Sequence, residues 1–189
     1  WEYHASAFKF HSGLSTPHTY SSQAWQWLIL GRPTSYFYES PKLGSAGCTV
    51  KSCSEAILNI GNPAIWWAFI PAILVGLFVF LLKRDWRFGA LLLVFGAGYF
   101  PWFMYPTRTM FYFYALSFEP FLILLLAGAL GLCLSGARGS VVRARVGVTV
   151  VVLYLVGVLV LSAYFMPLWT AQVIPYEQWY SHMWFKSWI

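Results

Sequence analysis

Four long, almost uncharged stretches dominate this chain: Ala56–Leu82, Phe88–Thr107, Thr109–Ala137 and Val146–Met166, with Glu119 the one charge inside them. A helix needs about 20 apolar residues to cross the hydrocarbon core of a bilayer. Within lipid, only helices and closed barrels satisfy their own backbone. The pattern therefore predicts an all-α integral membrane chain with four transmembrane helices across 64–166. An extracytoplasmic segment of loops and short helices, 1–63, precedes them, and an interfacial extracytoplasmic tail, 167–189, follows. Only 10% of the 189 residues are charged, against about 25% in a soluble domain. The chain opens on Trp1 without a signal-peptide pattern. It reads as an internal fragment or the C-terminal half of a longer protein.

The few charges set the sidedness. Lys83, Arg84 and Arg87, against Asp85, lie between the first and second stretches, and Arg138, Arg143 and Arg145 between the third and fourth. These two short connections carry most of the net charge of +6. Short basic loops mark the cytoplasmic side, so the flanks 1–63 and 167–189 and the turn at Arg108 face outward. A positive charge placed this way argues against a nucleic-acid surface, which needs a basic patch on one exposed face.

Cys48 and Cys53 fall in the outward segment. Oxidation is permitted there, and a small disulfide loop is the reading we favour. A metal pair is the alternative, but no second Cys/His pair at zinc spacing accompanies it. Cys133, inside the third stretch, reads as an inert packing residue. Ala127, Gly131 and Ser135 recur every four residues and offer a surface for close helix approach.

Candidate chemistry is sparse. His4, His11, His18 and His182 are all outside, as are Arg32 and Arg108. No phosphate-binding glycine loop, zinc-protease helix or nucleophile elbow occurs. Arg108 is the lone charge in its turn. It suits either a lipid phosphate held by paired hydrogen bonds or a side chain snorkelling to the interface. His18 is either a proton-handling group or a histidine satisfied in a turn. Glu119 lies eleven residues beyond Arg108. At helical rise it would sit about 16 Å deeper, near the bilayer centre, where a carboxylate is functional or is paired with a neighbouring hydroxyl or indole.

Three groups of residues resemble a known family. His18-Thr-Tyr-Ser21 is followed by Trp25-Gln-Trp27 and Arg32-Pro33; Gly61-Asn-Pro-Ala-Ile-Trp-Trp67 leads into a span; and Arg108-Thr-Met-Phe-Tyr-Phe-Tyr114 opens the third stretch. Together they resemble the C-terminal four-helix region of protein O-mannosyltransferases. The tail Pro175-Tyr-Glu-Gln-Trp179, with His182 and Trp184, is similar to the actinobacterial branch.

That resemblance implies part of a GT-C-type glycosyltransferase in the plasma membrane, or in the ER membrane of a eukaryote. The enzyme would move mannose from a polyprenyl-phosphate-mannose donor to Ser or Thr of secreted polypeptides. It places Arg108 and His18 at the donor phosphate or sugar, adds Arg32 as a second cation, and has Tyr20 and Trp25 wall the pocket. The family's catalytic Asp-Glu pair belongs to the N-terminal half; this chain contains no such pair, so no catalytic base is assigned and the fragment alone is expected to be inactive. No cofactor is implied, and a metal requirement stays open. The competing readings are a non-catalytic membrane scaffold or assembly subunit and a related lipid-linked-sugar transferase acting on polysaccharide. A transporter is disfavoured because no interrupted helix pair repeats in two halves.

Overall fold

The computed structural model describes residues 1–135 and 140–189. Helix α1 spans Glu2–Gly13, and a single turn, α2, spans Ala24–Trp27. Strands β1 (Thr34–Glu39) and β2 (Cys53–Asn59) form an antiparallel pair. The long helices follow: α3 (Pro63–Lys83), α4 (Trp86–Tyr99), α5 (Glu119–Ser135) and α6 (Val141–Trp169). The tail supplies β3 (Ile174–Pro175) and α7 (Tyr176–Ser181). Three helical stretches, Pro63–Lys83, Trp86–Met104 and Val141–Trp169, are long and apolar enough to cross a membrane. The chain is thus mostly helical and matches a membrane protein in composition and shape.

The expectation of an all-α chain needs correction. β3 joins β2 on the side away from β1, which makes a three-stranded sheet of order β1-β2-β3. The reason lies in the alternation of β2, where Ser54, Ala56 and Leu58 are buried and Ile57 is exposed. That is the period of two of a half-buried strand. The apolar run beginning at Ala56 therefore starts in a strand, and the helix starts only at Pro63.

Asn62 and Pro63 fix that start. The Asn62 carboxamide oxygen accepts the Ala64 N–H, and proline occupies the first turn, where its missing N–H costs nothing. Arg84 ends α3 in the left-handed conformation (φ 56°). Asp85 then caps α4 by accepting the Arg87 N–H. The Arg87 guanidinium, hydrogen-bonded to Asp85, holds that carboxyl below the usual carboxylate range. Two residues thus reverse the chain, and α3 lies against α4, α5 and α6. This alternation gathers residues 1–62, the Phe100–Phe118 connection and the tail at one end of the bundle, as a cap. Arg138 belongs to the opposite connection and lies outside the described residues.

Close approach between helices uses glycines other than the four-residue repeat. A Cβ on Gly147 would collide with the Cys133 carbonyl oxygen, and one on Gly128 would lie 2.9 Å from the Phe88 ring. Ala127, Gly131 and Ser135 are exposed, so that stripe brings no helix near within the chain. Cys133 is also exposed rather than packed.

Glu119 is not deep in α5. Pro101 does not kink a continuing helix; α4 tightens there into a 3-10 stretch, Phe100–Met104. A second 3-10 stretch, Tyr112–Ser117, precedes α5. The path from Arg108 to Glu119 is therefore not α-helical, and Glu119 occupies the first turn of α5, at the cap end.

Indole N–H groups bind the cap to the bundle and the parts of the cap to one another. Trp66 donates to the Trp27 carbonyl (2.5 Å), Trp169 to Ile60 (2.8 Å) and Trp188 to Leu30 (2.6 Å). Trp27 itself donates to the Ser22 hydroxyl (3.0 Å) and is fully buried. An indole buries a large apolar area and still needs a partner for its one donor. Each such bond therefore fixes an orientation as well as a contact.

Candidate functional site

The cap is built where the 14–23 loop lies along the 106–111 segment. The Thr109 N–H donates to the Leu14 carbonyl (2.9 Å), the Ser22 N–H to Met110 (2.8 Å), and the Gln23 carboxamide to Pro106 (3.0 Å). The Thr109 hydroxyl donates to the Thr16 carbonyl. These bonds hold the turn that presents Arg108.

Arg108 is half-buried. Its guanidinium carbon lies 5.3 Å from the centre of the Trp102 ring and 5.4 Å from that of Tyr114. Both distances fall within cation–π range. Its Nε is buried and has no hydrogen-bond partner. Among the described residues the only ion pair is Arg87–Asp85, so no carboxylate neutralises Arg108. A cavity of about 260 Å³ opens beside it, lined by Phe8, His11, Ser12, Trp102 and Tyr105. Two aromatic rings holding an uncompensated guanidinium at a cavity wall have the chemistry to receive an anion.

The remaining candidates divide around this centre. His18 is exposed; its Nδ1 accepts the Tyr20 N–H (3.1 Å), and its ring meets Phe111 edge-on at 5.0 Å. It does not line the Arg108 cavity. Phe111 in turn contacts Tyr114 at 6.3 Å, so His18 and Arg108 are linked through two rings and not directly. Arg32 donates to the carbonyls of Ser187, Ile189 and Thr19 and lies 5.2 Å from the Tyr20 ring centre. Its donors are thus engaged with backbone, tying the tail to the His18 loop. Tyr20 lines a separate cavity with Tyr38, Leu58, Trp179 and Trp188. Trp25 is exposed on α2. Cys48 and Cys53 are disulfide-bonded at a Cα separation of 5.9 Å, clipping the turn between β1 and β2. No cluster of metal-ligating side chains occurs among the described residues.

Sequence reasoning missed Trp102 and Tyr114 as partners of Arg108, and Phe8, His11 and Ser12 as its cavity wall. The last three are spaced i, i+3, i+4 and so share one helix face. That spacing was the available signal. The short polar helix gave no reason to bring its face to residue 108.

The comparisons with known proteins agree with this architecture. Residues 1–188 match the family model described as the C-terminal four-transmembrane region of protein-O-mannosyltransferase. The chain belongs to that family. Among similar proteins is a polyprenol-phosphate-mannose–protein mannosyltransferase of Mycolicibacterium smegmatis, 33% identical over 192 residues, covering 100% of this chain and 37% of the relative. One of Corynebacterium glutamicum is 36% identical over 190 residues, covering 98% and 36%. The chain thus spans little more than a third of the length of these relatives. Its fold is also similar to that of the Saccharomyces cerevisiae protein O-mannosyltransferase Pmt1–Pmt2 complex bound to the sugar donor. There the TM-score is 0.77 at 24% identity, covering 100% of this chain and 26% of the other.

Proposed function

We propose that the protein containing this chain is a glycosyltransferase that moves mannose from a polyprenyl-phosphate-mannose donor to Ser or Thr hydroxyls of secreted polypeptides. The chain is its C-terminal part within a GT-C-type fold. The four helices α3–α6 cross the plasma membrane with the basic connections in the cytoplasm and the cap outside. The family supports the reaction. The single observation that ties this chain to it is Arg108, held between Trp102 and Tyr114 with Nε unpartnered and no acid paired to it.

In this reading the guanidinium grips the donor phosphate. As the glycosidic bond to phosphate breaks, charge builds on the departing phosphate oxygen, and a fixed cation there lowers the barrier. The attacking hydroxyl needs a carboxylate to take its proton, which other parts of the protein supply. His18, linked to Arg108 through Phe111 and Tyr114, sits beside this site, and Arg32 sets the His18 loop against the tail; Tyr20 and Trp25 stand outside the Arg108 cavity. The opening segment 1–63, the bundle 64–166 and the tail 167–189 act as one unit.

The test is steady-state kinetics of the full-length enzyme carrying Arg108→Ala, with donor and acceptor peptide varied separately. The donor KM should rise while the acceptor KM holds. An unchanged donor dependence would remove Arg108 from the site.

A further inference from the structure

Another cavity, of about 320 Å³, opens at the cap end and shares no lining residue with the Arg108 cavity. It is lined by Asn59, Asn62, Trp66, Tyr112, Glu119 and Trp169, among others. Most of its polar groups are already committed. The Asn62 carboxamide donates to the Val158 carbonyl and the Ser162 hydroxyl and accepts the Ala64 N–H. The Asn59 amide nitrogen donates to the Tyr36 hydroxyl. The Trp66 and Trp169 indoles spend their N–H groups on the Trp27 and Ile60 carbonyls, so what they offer a ligand is ring surface.

Two polar side chains of the lining are left without any side-chain hydrogen bond among the described residues. The Tyr112 hydroxyl is buried, on a residue 2% exposed, and has no hydrogen-bond partner. The Gly61 N–H addresses its oxygen weakly, and this leaves the O–H proton without an acceptor. Burial, with the nearby Glu119 carboxylate, pushes this phenol well above its ordinary range, so it remains a donor. Glu119 is half-buried in the first turn of α5, and its carboxylate makes no hydrogen bond or ion pair among the described residues. A buried polar group without a partner is costly.

We propose that this cavity binds a pyranose ring, one hydroxyl of which accepts from Tyr112 and donates to Glu119, with Trp66 and Trp169 supplying apolar walls. An alcohol satisfies both leftover groups at once. A cation would suit Glu119 but could not accept the Tyr112 proton; an anion would meet the carboxylate's repulsion. The volume lies at the small end of ligand pockets, about 300–1,000 Å³, which suits one sugar ring rather than a length of peptide. The choice of mannose as the probe rests on the proposed function.

The full-length protein in lipid nanodiscs is titrated with methyl α-D-mannopyranoside, followed by saturation-transfer NMR. Parallel arms use a threonine peptide with and without an O-linked mannose. The mannoside should bind saturably and be displaced by the mannosylated peptide but not by the bare one. Glu119→Gln and Tyr112→Phe should each weaken it by about tenfold, the scale of a hydrogen bond to a charged group. Both substitutions nearly conserve shape, and the thermal melt of each variant reports its folding. Binding that neither variant alters, no saturable binding, or equal displacement by the bare peptide overturns the inference. Mannosyl transfer by the unsubstituted enzyme is assayed in the same samples. Transfer without Glu119-dependent binding ends this inference alone, whereas loss of transfer bears on the proposed function.

Discussion

The indole N–H of Trp66, in the first turns of α3, donates to the main-chain carbonyl of Trp27 at 2.5 Å. Trp66 is 3% exposed and Trp27 fully buried, so the bond crosses a dry contact between the cap and the bundle. Around it lie Phe69, Tyr112 and Phe118 in ring contact with one or other indole. Losing the donor strands the Trp27 carbonyl and leaves a gap beside those rings.

Replacing Trp66 by Phe should therefore destabilise the protein by about 1–3 kcal/mol, the cost of an unsatisfied buried group. The change is read as a lower detergent-solubilised melting temperature. Trp67→Phe is the control, because its indole bond to Ile29 is longer (3.2 Å) and more exposed. A Trp66 variant that melts no earlier than the control would show that the contact carries packing alone.

Arg108→Lys keeps the charge but loses the planar fork and its stacking on Trp102 and Tyr114. The donor KM of the full-length enzyme should rise about tenfold, equivalent to about 1.4 kcal/mol. A lysine enzyme with wild-type donor affinity would mean that charge alone suffices and that the two rings are incidental.

The Cys48–Cys53 bond closes a loop with a sequence separation of 5. Chain-entropy reasoning assigns so short a loop about 2 kcal/mol. The paired Cys48→Ser/Cys53→Ser variant should melt earlier than wild type, and the difference should vanish when both are measured in reductant. Intact-mass analysis of protein from native membranes should show two fewer hydrogen atoms than the fully reduced form.

Gly147→Val should separate α5 from α6, because its Cβ meets the Cys133 carbonyl oxygen, which cannot yield as a side chain would. Overpacking of this kind costs about 1–3 kcal/mol. Gly157→Val, where nothing lies within contact distance, should be neutral. Equal melting of the two variants would count against the helix contact described here.

Acidification should loosen the α3–α4 turn. The Asp85 carboxyl is held below its ordinary range by Arg87. Its contribution is therefore complete above the unfolded-state pKa and is lost as pH falls through the lower folded value. Asp85→Asn should remove that acid-side dependence of amide exchange in the turn while leaving the exchange near pH 7 little changed, since Asn is also a good N-cap. An acid dependence that persists in the variant would assign it elsewhere.

The membrane character and the outline of the bundle were legible because they follow from long-range composition and from a few local signals. Asn62-Pro63 announces the start of α3, and Asp85 the start of α4. Two features were hidden. The strand β2 merges at Ala56–Ile60 with the apolar run of α3, so hydropathy alone does not separate them. The depth of Glu119 was misjudged because a uniform helical rise was carried from Arg108 to Glu119, where the non-helical residues 109–111 and the 3-10 stretch Tyr112–Ser117 break it. Of the candidate site, only the lone charge was visible in advance. Arg108 stood out as a lone charge, but its partners Trp102 and Tyr114 were lost among many aromatics, since a ring's neighbours are set by packing across the cap and not by spacing. Arg32 was read as a second donor cation through the resemblance, while its engagement with Ser187 depends on residues far along the chain.

Leu30 and Trp188 are joined by a hydrogen bond across 158 positions, and β2 waits for β3 to gain its second neighbour. The amino-proximal portion of the cap therefore cannot complete its packing until α6 and the residues after it have been made. Until then the Leu30 carbonyl lacks its indole donor and one edge of β2 stays bare.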